Sequence, residues 1–430
     1  MGRSMPLLGI YDRDEGYLMQ LMLLLLFIWQ SVWMSATGDS WPGFRGQGDS
    51  QSKADNLPVE WSDTKNLVWD VQLPGYGQSS PVVWKRRVFV TAIDGPNKEQ
   101  AYVLCHDLRT GRELWRRVVG TTEKVKVGNL VSQAAPTPVV DDKRVYVFFE
   151  TGDLYAFDHR GRPVWERQMT RDYGGVKGPH GLGSSLVSDR ENIFLAISHL
   201  GTSFVMAISK SDGRTVWKAE RKSGMAWGTP LVIRSAGREE IIVRGGDGVT
   251  SYDAKDGKIL WWVTGLKGAP MPSPTLAGNL VIVGSDQKEG SMAIRLGGSG
   301  DVTATHIVWR PTDATSYFSS PLVHRGQVYF ISKAGIAYSL DLETGKELWR
   351  QRLGSGECWA SPLAVGERIY IFSNEGKTFV LRAGREYQQL AINSINELER
   401  IYGVAAVDDA LLLRSGRRLI RLSERKPKRS

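Results

Sequence analysis

The chain has 430 residues, 41% of them hydrophobic and 23% charged, a composition that excludes an intrinsically disordered polymer. Glycine (47 residues) and tryptophan (15 residues) are both abundant, which favours many short strands and tight turns over helices. The two cysteines, Cys105 and Cys358, exclude a disulfide framework and a four-cysteine zinc site, and we expect both to be free thiols. The net charge of +9 is concentrated at the C-terminal end, where eight basic residues lie between positions 414 and 430.

Residues 1–38 are interpreted as an export signal. The apolar run from Leu21 to Val32 is too short and interrupted for a membrane helix, which needs about 20 apolar residues. Small residues precede Asp39, as at a signal cleavage site. Acidic residues outnumber basic ones before the run, so Met19 is an alternative start of translation. The competing interpretation is an uncleaved anchor. We predict an exported chain (periplasmic, envelope or secreted) with no stable membrane span after signal removal.

One sequence unit recurs eight times after an N-terminal extension, 39–65, that contains the motif WPGFRG at Trp41–Gly46. Each unit opens with small residues and usually proline, continues with alternating apolar residues, and ends in an Asp/Gly-rich turn and a tryptophan. The openings are roughly 41–55 residues apart, the range of four-stranded propeller blades. The closing tryptophans are Trp69, Trp115, Trp165, Trp217, Trp261, Trp309 and Trp349.

The strands of the first unit are predicted over Pro81–Trp84, Arg87–Thr91, Ala101–Cys105 and Glu113–Val118. Alternation with a period of two residues, broken by frequent turns, indicates antiparallel β-structure. In the Asp-x-x-Thr-Gly turn, the aspartate caps its own turn and glycine supplies the positive φ that a hairpin needs.

The eighth unit, Gly403–Leu422, has no closing strand of its own, whereas Asn66–Leu73 matches one and contains Trp69. In the seventh unit, Tyr387 or Leu390 takes the place of the tryptophan. We therefore predict an all-β fold, an eight-bladed β-propeller of four-stranded antiparallel blades over 66–424. The N-terminal strand completes the last blade, and 425–430 form a basic tail.

The turn-plus-tryptophan element, intact at Asp107–Trp115 and Asp341–Trp349, resembles the pyrroloquinoline-quinone (PQQ) repeat. That repeat is shared by quinoprotein dehydrogenases and by BamB, a non-catalytic outer-membrane assembly factor. The resemblance covers 66–424, and the WPGFRG segment is similar to the start of a group of secreted bacterial PQQ-repeat proteins. It implies that the closing tryptophans pack between blades and that the chain belongs to the non-catalytic, BamB-like branch.

The alternative function is a PQQ-dependent oxidoreductase that holds PQQ and calcium on the propeller axis. Such enzymes resemble one another in a pair of adjacent cysteines, whereas Cys105 and Cys358 are far apart. The unit openings offer hydroxyls and glycine, whereas Ca²⁺ prefers six to eight oxygen ligands that include carboxylates. No zinc-protease, P-loop or nucleophile-elbow motif is present in the sequence. We therefore predict no catalytic residues, no metal and no cofactor.

The residues just before each first strand lie at the mouth of the central channel in a propeller. Small hydroxyl residues there are explained by the crowding of eight strands about one axis. Larger residues beside them could bind a peptide, glycan or cofactor, although they could equally only fill space between loops. The long loop GGVKGPHGLG is the first choice for a specific contact. The candidate residues are Tyr76, Lys177, His180, Trp227, Met271, Tyr317, Phe318, Trp359 and Tyr402.

The basic end has two interpretations. Arg414, Arg417, Arg418 and Arg421 are expected on the last strands with their charged heads in solvent; alternatively, they attract an anionic envelope or polymer. No stacking-plus-basic pattern spans the units, so no nucleic-acid partner is predicted. We predict an exported, monomeric, non-catalytic binding or scaffold module whose partner is a protein or envelope component. A role in envelope protein assembly is the specific version that the resemblance implies.

Overall fold

A computed structural model describes residues 1–2, 40–54, 57–126, 128, 130–235 and 237–424. Most of the predicted signal and the whole predicted tail, 425–430, therefore lie outside the described residues. One compact unit spans Gly38–Ser430. Its described helices are single turns, α1 (Arg45–Gly48), α2 (Met169–Tyr173) and α3 (Thr303–His306). Within the described part of the chain, no helix has the length and apolar character to cross a membrane.

Eight sheets follow one another around the ring, each built on four antiparallel strands and three of them extended by a fifth strand, which confirms the predicted eight-bladed propeller. Three strands precede the first blade: β1 (Ser40–Trp41), β2 (Gln51–Ser52) and β3 (Leu67–Gln72). Blades 1 to 4 contain β4 (Val82–Trp84), β5 (Arg87–Asp94), β6 (Gln100–Asp107), β7 (Glu113–Gly120), β8 (Val139–Val140), β9 (Arg144–Phe148), β10 (Asp153–Asp158), β11 (Pro163–Gln168), β12 (Val187–Ser188), β13 (Asn192–Ile197), β14 (Ser203–Ser209), β15 (Thr215–Arg221), β16 (Leu231–Ser235), β17 (Arg238–Arg244), β18 (Gly248–Asp253) and β19 (Ile259–Thr264).

The remaining blades include the predicted closure of the ring. β3 pairs with β35, with Trp69 opposite Arg421, so the N-terminal strand completes blade 8 as predicted. Blades 5 to 8, with the short strand β23, contain β20 (Thr275–Ala277), β21 (Leu280–Val283), β22 (Met292–Arg295), β23 (Gly300–Asp301), β24 (Ile307–Trp309), β25 (Leu322–His324), β26 (Gln327–Ile331), β27 (Ile336–Asp341), β28 (Glu347–Arg352), β29 (Leu363–Val365), β30 (Arg368–Phe372), β31 (Thr378–Arg382), β32 (Gln389–Asn393), β33 (Gly403–Val407), β34 (Ala410–Ser415) and β35 (Arg418–Leu422).

Five of the seven closing tryptophans lie between neighbouring blades with the ring against the glycine of the next turn. Trp69 donates its Nε1–H to Leu108 O (3.0 Å), and its ring covers Gly111. Gly111 has φ +72°, and a Cβ there would lie 2.8 Å from the ring, so only glycine fits both the turn and the packing. The same contact joins Trp115 to Gly161, Trp165 to Gly213, Trp217 to Gly257 and Trp309 to Gly345.

Blade 4 closes differently. Trp261 is fully buried but donates its Nε1–H to Glu240 Oε2 (3.0 Å), within its own blade. The fifth unit lacks the Asp-x-x-Thr-Gly turn, and instead β23 pairs in parallel with β19, with Gly300 opposite Trp261. This strand covers the edge that other blades leave open.

The prediction for the seventh unit is wrong. The register position of the closing tryptophan is held by Ala391, opposite Val380, and not by Tyr387 or Leu390. Tyr387 instead packs on Trp349 of the preceding blade, with ring centroids 5.4 Å apart. The missing aromatic surface comes from the N-terminal extension.

Trp61 supplies that surface. It is 5% exposed, stacks on Tyr370 of β30 with ring centroids 6.4 Å apart, and donates its backbone N–H to Asn393 Oδ1 (2.8 Å). In blades 1, 2, 3 and 6 the equivalent aromatic residue on the second strand packs on the blade's own closing tryptophan. The extension therefore replaces the aromatic side chain that the seventh unit lacks.

The expected exposure of the basic end also needs correction. Arg414 is fully buried and Arg421 is 8% exposed, because both lie on strands inside blade 8. Arg421 pairs with Asp409 (2.8 Å), and Arg417 pairs with Asp94 (2.7 Å). Arg418 forms an ion pair with Asp70 of β3. Carboxylates within the propeller thus pair with three of these four arginines, and Arg414 is the exception.

Candidate functional site

The predicted mouth residues converge on one cavity at the start of the innermost strands. This cavity, called the cup below, has a volume of about 340 Å³. Tyr76 and Lys177 do not line it. The seven predicted residues that do are His180, Trp227, Met271, Tyr317, Phe318, Trp359 and Tyr402, all half-buried.

Below the rim, small residues form a hydrogen-bonded belt, called the hydroxyl ring below. In each step, a backbone N–H of one blade donates to a side-chain hydroxyl of the next. The steps run from Ser80 N to Thr137 Oγ1 (3.0 Å), Thr137 N to Ser185 Oγ (2.9 Å), Ser185 N to Thr229 Oγ1 (3.1 Å), Thr229 N to Ser273 Oγ (2.8 Å), Ser273 N to Ser320 Oγ (3.0 Å) and Ser320 N to Ser361 Oγ (3.0 Å).

The hydroxyl ring adds a second reason for small residues at these positions, beyond crowding. A hydroxyl is short enough to sit at the axis and satisfies an N–H that would otherwise be buried without a partner. The ring stops at blade 8, where Gly403 stands at this position. A Cβ on Gly403 would lie 2.3 Å from Ser80 Oγ, so blades 8 and 1 approach too closely for a side chain.

One side of the rim is a continuous aromatic arc formed by Tyr317, Phe318, Trp359, Tyr402 and Tyr76. Phe318 stacks on Trp359 with centroids 4.0 Å apart, and Trp359 meets Tyr402 edge-on at 5.7 Å. The hydroxyl groups of Tyr402 and Tyr76 lie 2.5 Å apart, and burial is the main cause that raises the pKa of Tyr76. Tyr76 therefore supports the arc from outside the cup.

Cations cover the outer surface of the arc. The Arg400 guanidinium lies 4.2 Å from the ring centre of Trp359, and Lys333 Nζ lies 4.6 Å from that of Tyr317. Such contacts are typical cation–π interactions and hold the aromatic planes in place.

The other side of the rim comes from the predicted loop and the opening of blade 4. His180 and Trp227 pack together at 5.9 Å, and Trp227 Nε1–H donates to Gly181 O (3.0 Å). Lys177 lies in the same loop but is exposed, and its backbone contacts His199 and Leu200 away from the cup. The loop therefore contributes His180 to the cup and leaves Lys177 outside.

The floor of the cup is the N-terminal segment Ser40–Ser52, called the plug below, at the far end of the innermost strands. β1 pairs with β4, with Trp41 opposite Val83, and β2 pairs with β29 of blade 7. Between these strands, Phe44 of the WPGFRG motif lines the cup.

Arg45 anchors the plug to blades 5 and 6. Its side chain is 3% exposed and donates to Thr275 Oγ1 (2.8 Å), Pro321 O (2.8 Å), Pro274 O (3.4 Å) and Ser50 Oγ (2.9 Å). Burial lowers the pKa of Arg45 to about 10, so it remains charged at neutral pH. The WPGFRG motif thus closes one end of the channel.

Two further buried guanidinium groups adjoin the cup. Arg244 donates to Ala269 O (3.0 Å), and Arg414 donates to Gly77 O and Thr91 O (both 3.2 Å). Burial lowers the pKa of Arg244 to about 10 and that of Arg414 to about 9. Arg244 Nε and Nη2 and Arg414 Nη1 have no hydrogen-bond partner among the described residues. Sequence reasoning missed the inward position of both groups. Strand register places Arg414 opposite Gly403, and Arg244 is the last residue of β17.

PQQ with calcium does not fit this cup. None of the described residues lining it is Asp or Glu, and Gln78 Oε1 already accepts the Gln133 N–H. Across the described ranges, no group of three or more His, Cys, Asp or Glu side chains could hold a metal ion. Cys105 and Cys358 are buried in blade 1 and before blade 7, so they cannot form the adjacent pair of quinoprotein enzymes.

Sequence reasoning missed the floor and part of the rim. Phe44 lies in an extension that precedes the repeats, and Leu130 and Val131 lie in the loop between blades 1 and 2. The WPGFRG motif marks the segment that forms the floor, but the motif does not encode which blades that segment contacts. Leu130 is 59% exposed at the mouth, and an isolated leucine in a loop carries no sequence signal.

Comparisons with known proteins give relatives of low identity. The chain is similar to tetrathionate hydrolase of Acidithiobacillus ferrooxidans (23% identity over 253 residues, 55% of this chain and 48% of the relative). It is also similar to outer membrane protein assembly factor BamB of Legionella pneumophila (23% over 251 residues, 58% and 50%). The chain thus spans about half the length of these curated relatives.

Solved structures share the fold. BamB from Moraxella catarrhalis superimposes with a TM-score of 0.59 at 14% identity, covering 83% of this chain and 99% of that one. Quinohemoprotein alcohol dehydrogenase from Comamonas testosteroni superimposes with a TM-score of 0.65 at 11% identity, covering 91% and 82%. The family model described as outer membrane protein assembly factor BamB matches residues 28–203 and 201–426. With most of its length matched, the chain belongs to this family of PQQ-repeat β-propellers.

Proposed function

We propose that this protein is a non-catalytic binding or scaffold module of the cell envelope and that the mouth of the cup is its partner site. The observation that carries the proposal is a cavity with a half-buried aromatic rim at one end and the chain's own plug at the other. Large aromatic side chains around a concave site are typical anchors of recognition surfaces. Exposed Leu130 beside them extends the apolar surface.

The chemistry of the lining supports binding over catalysis. Among the described lining residues, His180 is the sole histidine, and no carboxylate or thiol accompanies it. A general acid–base or nucleophilic mechanism needs a positioned pair of such groups. The cup instead offers aromatic faces and hydroxyls, which bind without reacting.

The compartment and partner are inferred from relatives. Several are named outer membrane protein assembly factor BamB, which supports an exported protein with an envelope protein as partner. A role in envelope protein assembly is the specific version of this proposal. The protein acts as a monomer and without nucleic acid or cofactor.

Site-specific crosslinking tests this function. A photo-crosslinking amino acid replaces Leu130, which is 59% exposed at the rim, and a control chain carries it at Trp262, which is 37% exposed on the outer strand of blade 4. We expect a discrete adduct with one envelope protein from the rim position only. Equal adducts from both positions, or none from the rim, would refute the mouth as partner site.

The alternative, a PQQ-dependent oxidoreductase, is tested separately. The purified protein is titrated with PQQ and CaCl₂, followed by quinone absorbance and dye reduction with alcohols or sugars. We expect neither calcium-dependent binding nor turnover, because the lining offers no carboxylate for calcium. Turnover would replace the scaffold function with an enzymatic one.

A further inference from the structure

The cup contains hydrogen-bond donors that the protein itself does not use. Five hydroxyl-ring residues line it, and each accepts a backbone N–H from the neighbouring blade. No described residue accepts the O–H proton of these five, and Ser132 Oγ, also in the lining, has no partner at all. The five are Thr137, Ser185, Thr229, Ser273 and Ser320.

The charges behind this lining are positive. Arg45, Arg244 and Arg414 are each at most 3% exposed and bond only neutral oxygens, and none forms an ion pair with a described carboxylate. Ala269, whose carbonyl binds Arg244, lines the cup, and Gly77 and Pro321, which bind the other two, directly adjoin lining residues. In a poorly solvated interior such charges act over several ångströms.

Carboxylates do not cancel this potential within the cup. The described lining contains no Asp or Glu. Buried Glu150, near Ser132, is neutralised by Lys98 at 2.8 Å. Asp286 acts on Arg244 and Asp49 on Arg45 from outside the lining, without hydrogen bonding to either. A ligand with a negative group at the hydroxyl ring would therefore gain both proton donors and a favourable field.

The walls above the hydroxyl ring favour a planar apolar group in the ligand. The stacked pair Phe318 and Trp359 lies on blades 6 and 7, and Trp227 stands across the mouth at blade 4. A volume of about 340 Å³ is at the lower end of small-molecule sites, enough for one or two rings. Aromatic faces at both sides bind a planar ring by stacking.

From these observations we infer that the cup binds a small, metal-free aromatic carboxylate, with its carboxylate at the hydroxyl ring and its rings between the aromatic walls. This inference rests on the proposed binding role of the cup and names the chemical class of its ligand. It assigns a task to the hydroxyl ring beyond joining the blades.

Titration calorimetry with a matched pair of probes tests the inference. The probes are 2-naphthoate and its neutral isostere 2-naphthamide, which differ only in the charged group. We expect the carboxylate to bind at least tenfold more tightly than the amide. Equal affinities, or no binding of the carboxylate, would overturn the inference, whereas the crosslinking test of the partner site is unaffected by either result.

Two substitutions at Thr229 locate the carboxylate. Thr229→Val removes a ring hydroxyl and should reduce the preference for naphthoate, whereas Thr229→Ser keeps the O–H group and should retain it. Ser211→Ala, which removes an exposed hydroxyl on a turn of blade 3, is the matched control and should change nothing. Thermal unfolding of each variant shows that the chain is folded. An unchanged preference in folded Thr229→Val would refute the role of the ring.

Discussion

The two ends of the central channel are built from opposite kinds of contact. At the plugged end, Arg45 donates to acceptors on blades 5 and 6 and within the plug, and Trp41 is 2% exposed against blade 1. At the mouth, large aromatic side chains remain half-buried, and hydroxyl protons lack acceptors among the described residues. The difference indicates that one end stabilises the ring and the other is available for a ligand.

The same contrast explains why the extension cannot be treated as an appendage. The plug, Ser40–Ser52, closes the channel and Trp61 fills the seam between blades 7 and 8, so both belong to the packed interior. Substitutions in this segment should act on stability, whereas substitutions at the mouth should act on binding. Four measurements test that division.

The largest effect is expected for Trp61→Ala. Removing a fully packed tryptophan leaves a cavity against Tyr370 and should lower the free energy of unfolding by about 3–5 kcal/mol. Trp262→Ala, at a 37% exposed tryptophan, should cost less than about 1 kcal/mol. Denaturant unfolding followed by circular dichroism measures both, and equal small losses would contradict a structural role for the extension.

Arg45→Ala should have the second-largest effect on stability. The change removes charge-assisted hydrogen bonds and leaves the buried acceptors Thr275 Oγ1 and Pro321 O without a donor. The free energy of unfolding should fall by about 3 kcal/mol. The control is Arg214→Ala, whose side chain is 85% exposed. A plug that merely rests on the propeller would give the two variants the same unfolding midpoint.

Trp359→Ala should have a small effect on stability and a large one on binding. The ring is half-buried and stacked on Phe318, so its loss should cost about 1 kcal/mol. Binding of an envelope partner or of 2-naphthoate should fall at least tenfold, as measured by calorimetry. A loss of stability as great as that of Trp61→Ala would place the rim among the structural elements.

The smallest effect concerns the two thiols. Burial raises the pKa of Cys105 to about 12 and of Cys358 to about 11, from 9.0 for a free thiol. The thiols of the unfolded chain ionise at a lower pH than the buried thiols of the folded chain. The stability that the protonated thiols contribute is therefore complete below pH 9, and it is lost as the pH rises toward the pKa values of the folded state.

The order in which the two thiols are labelled at pH 8 then distinguishes the mouth from blade 1. Cys358 precedes Trp359 in a mouth loop and should react with a thiol reagent by local opening, before Cys105, which needs unfolding of blade 1. Mass spectrometry of the labelled chain gives the order. Earlier reaction of Cys105 would show that blade 1 opens more easily than the mouth.

The sequence alone determined the ring and its closure. Repeated alternation, the Asp-x-x-Thr-Gly turn and the spacing of the tryptophans specify strands locally, and the unpaired strand at Leu67–Gln72 matched the gap in blade 8. It also identified seven residues that line the cup, because the position before each first strand is fixed by the repeat.

Only the tertiary structure decided what lies outside the repeat. Trp61 replaces the aromatic residue missing from blade 7, Phe44 forms the floor, and Arg414 turns inward although its sequence neighbours suggested a solvated basic end. These side chains meet residues hundreds of positions away, so no local period or motif encodes their partners. Long-range packing and the exclusion of water from the channel decide where they lie.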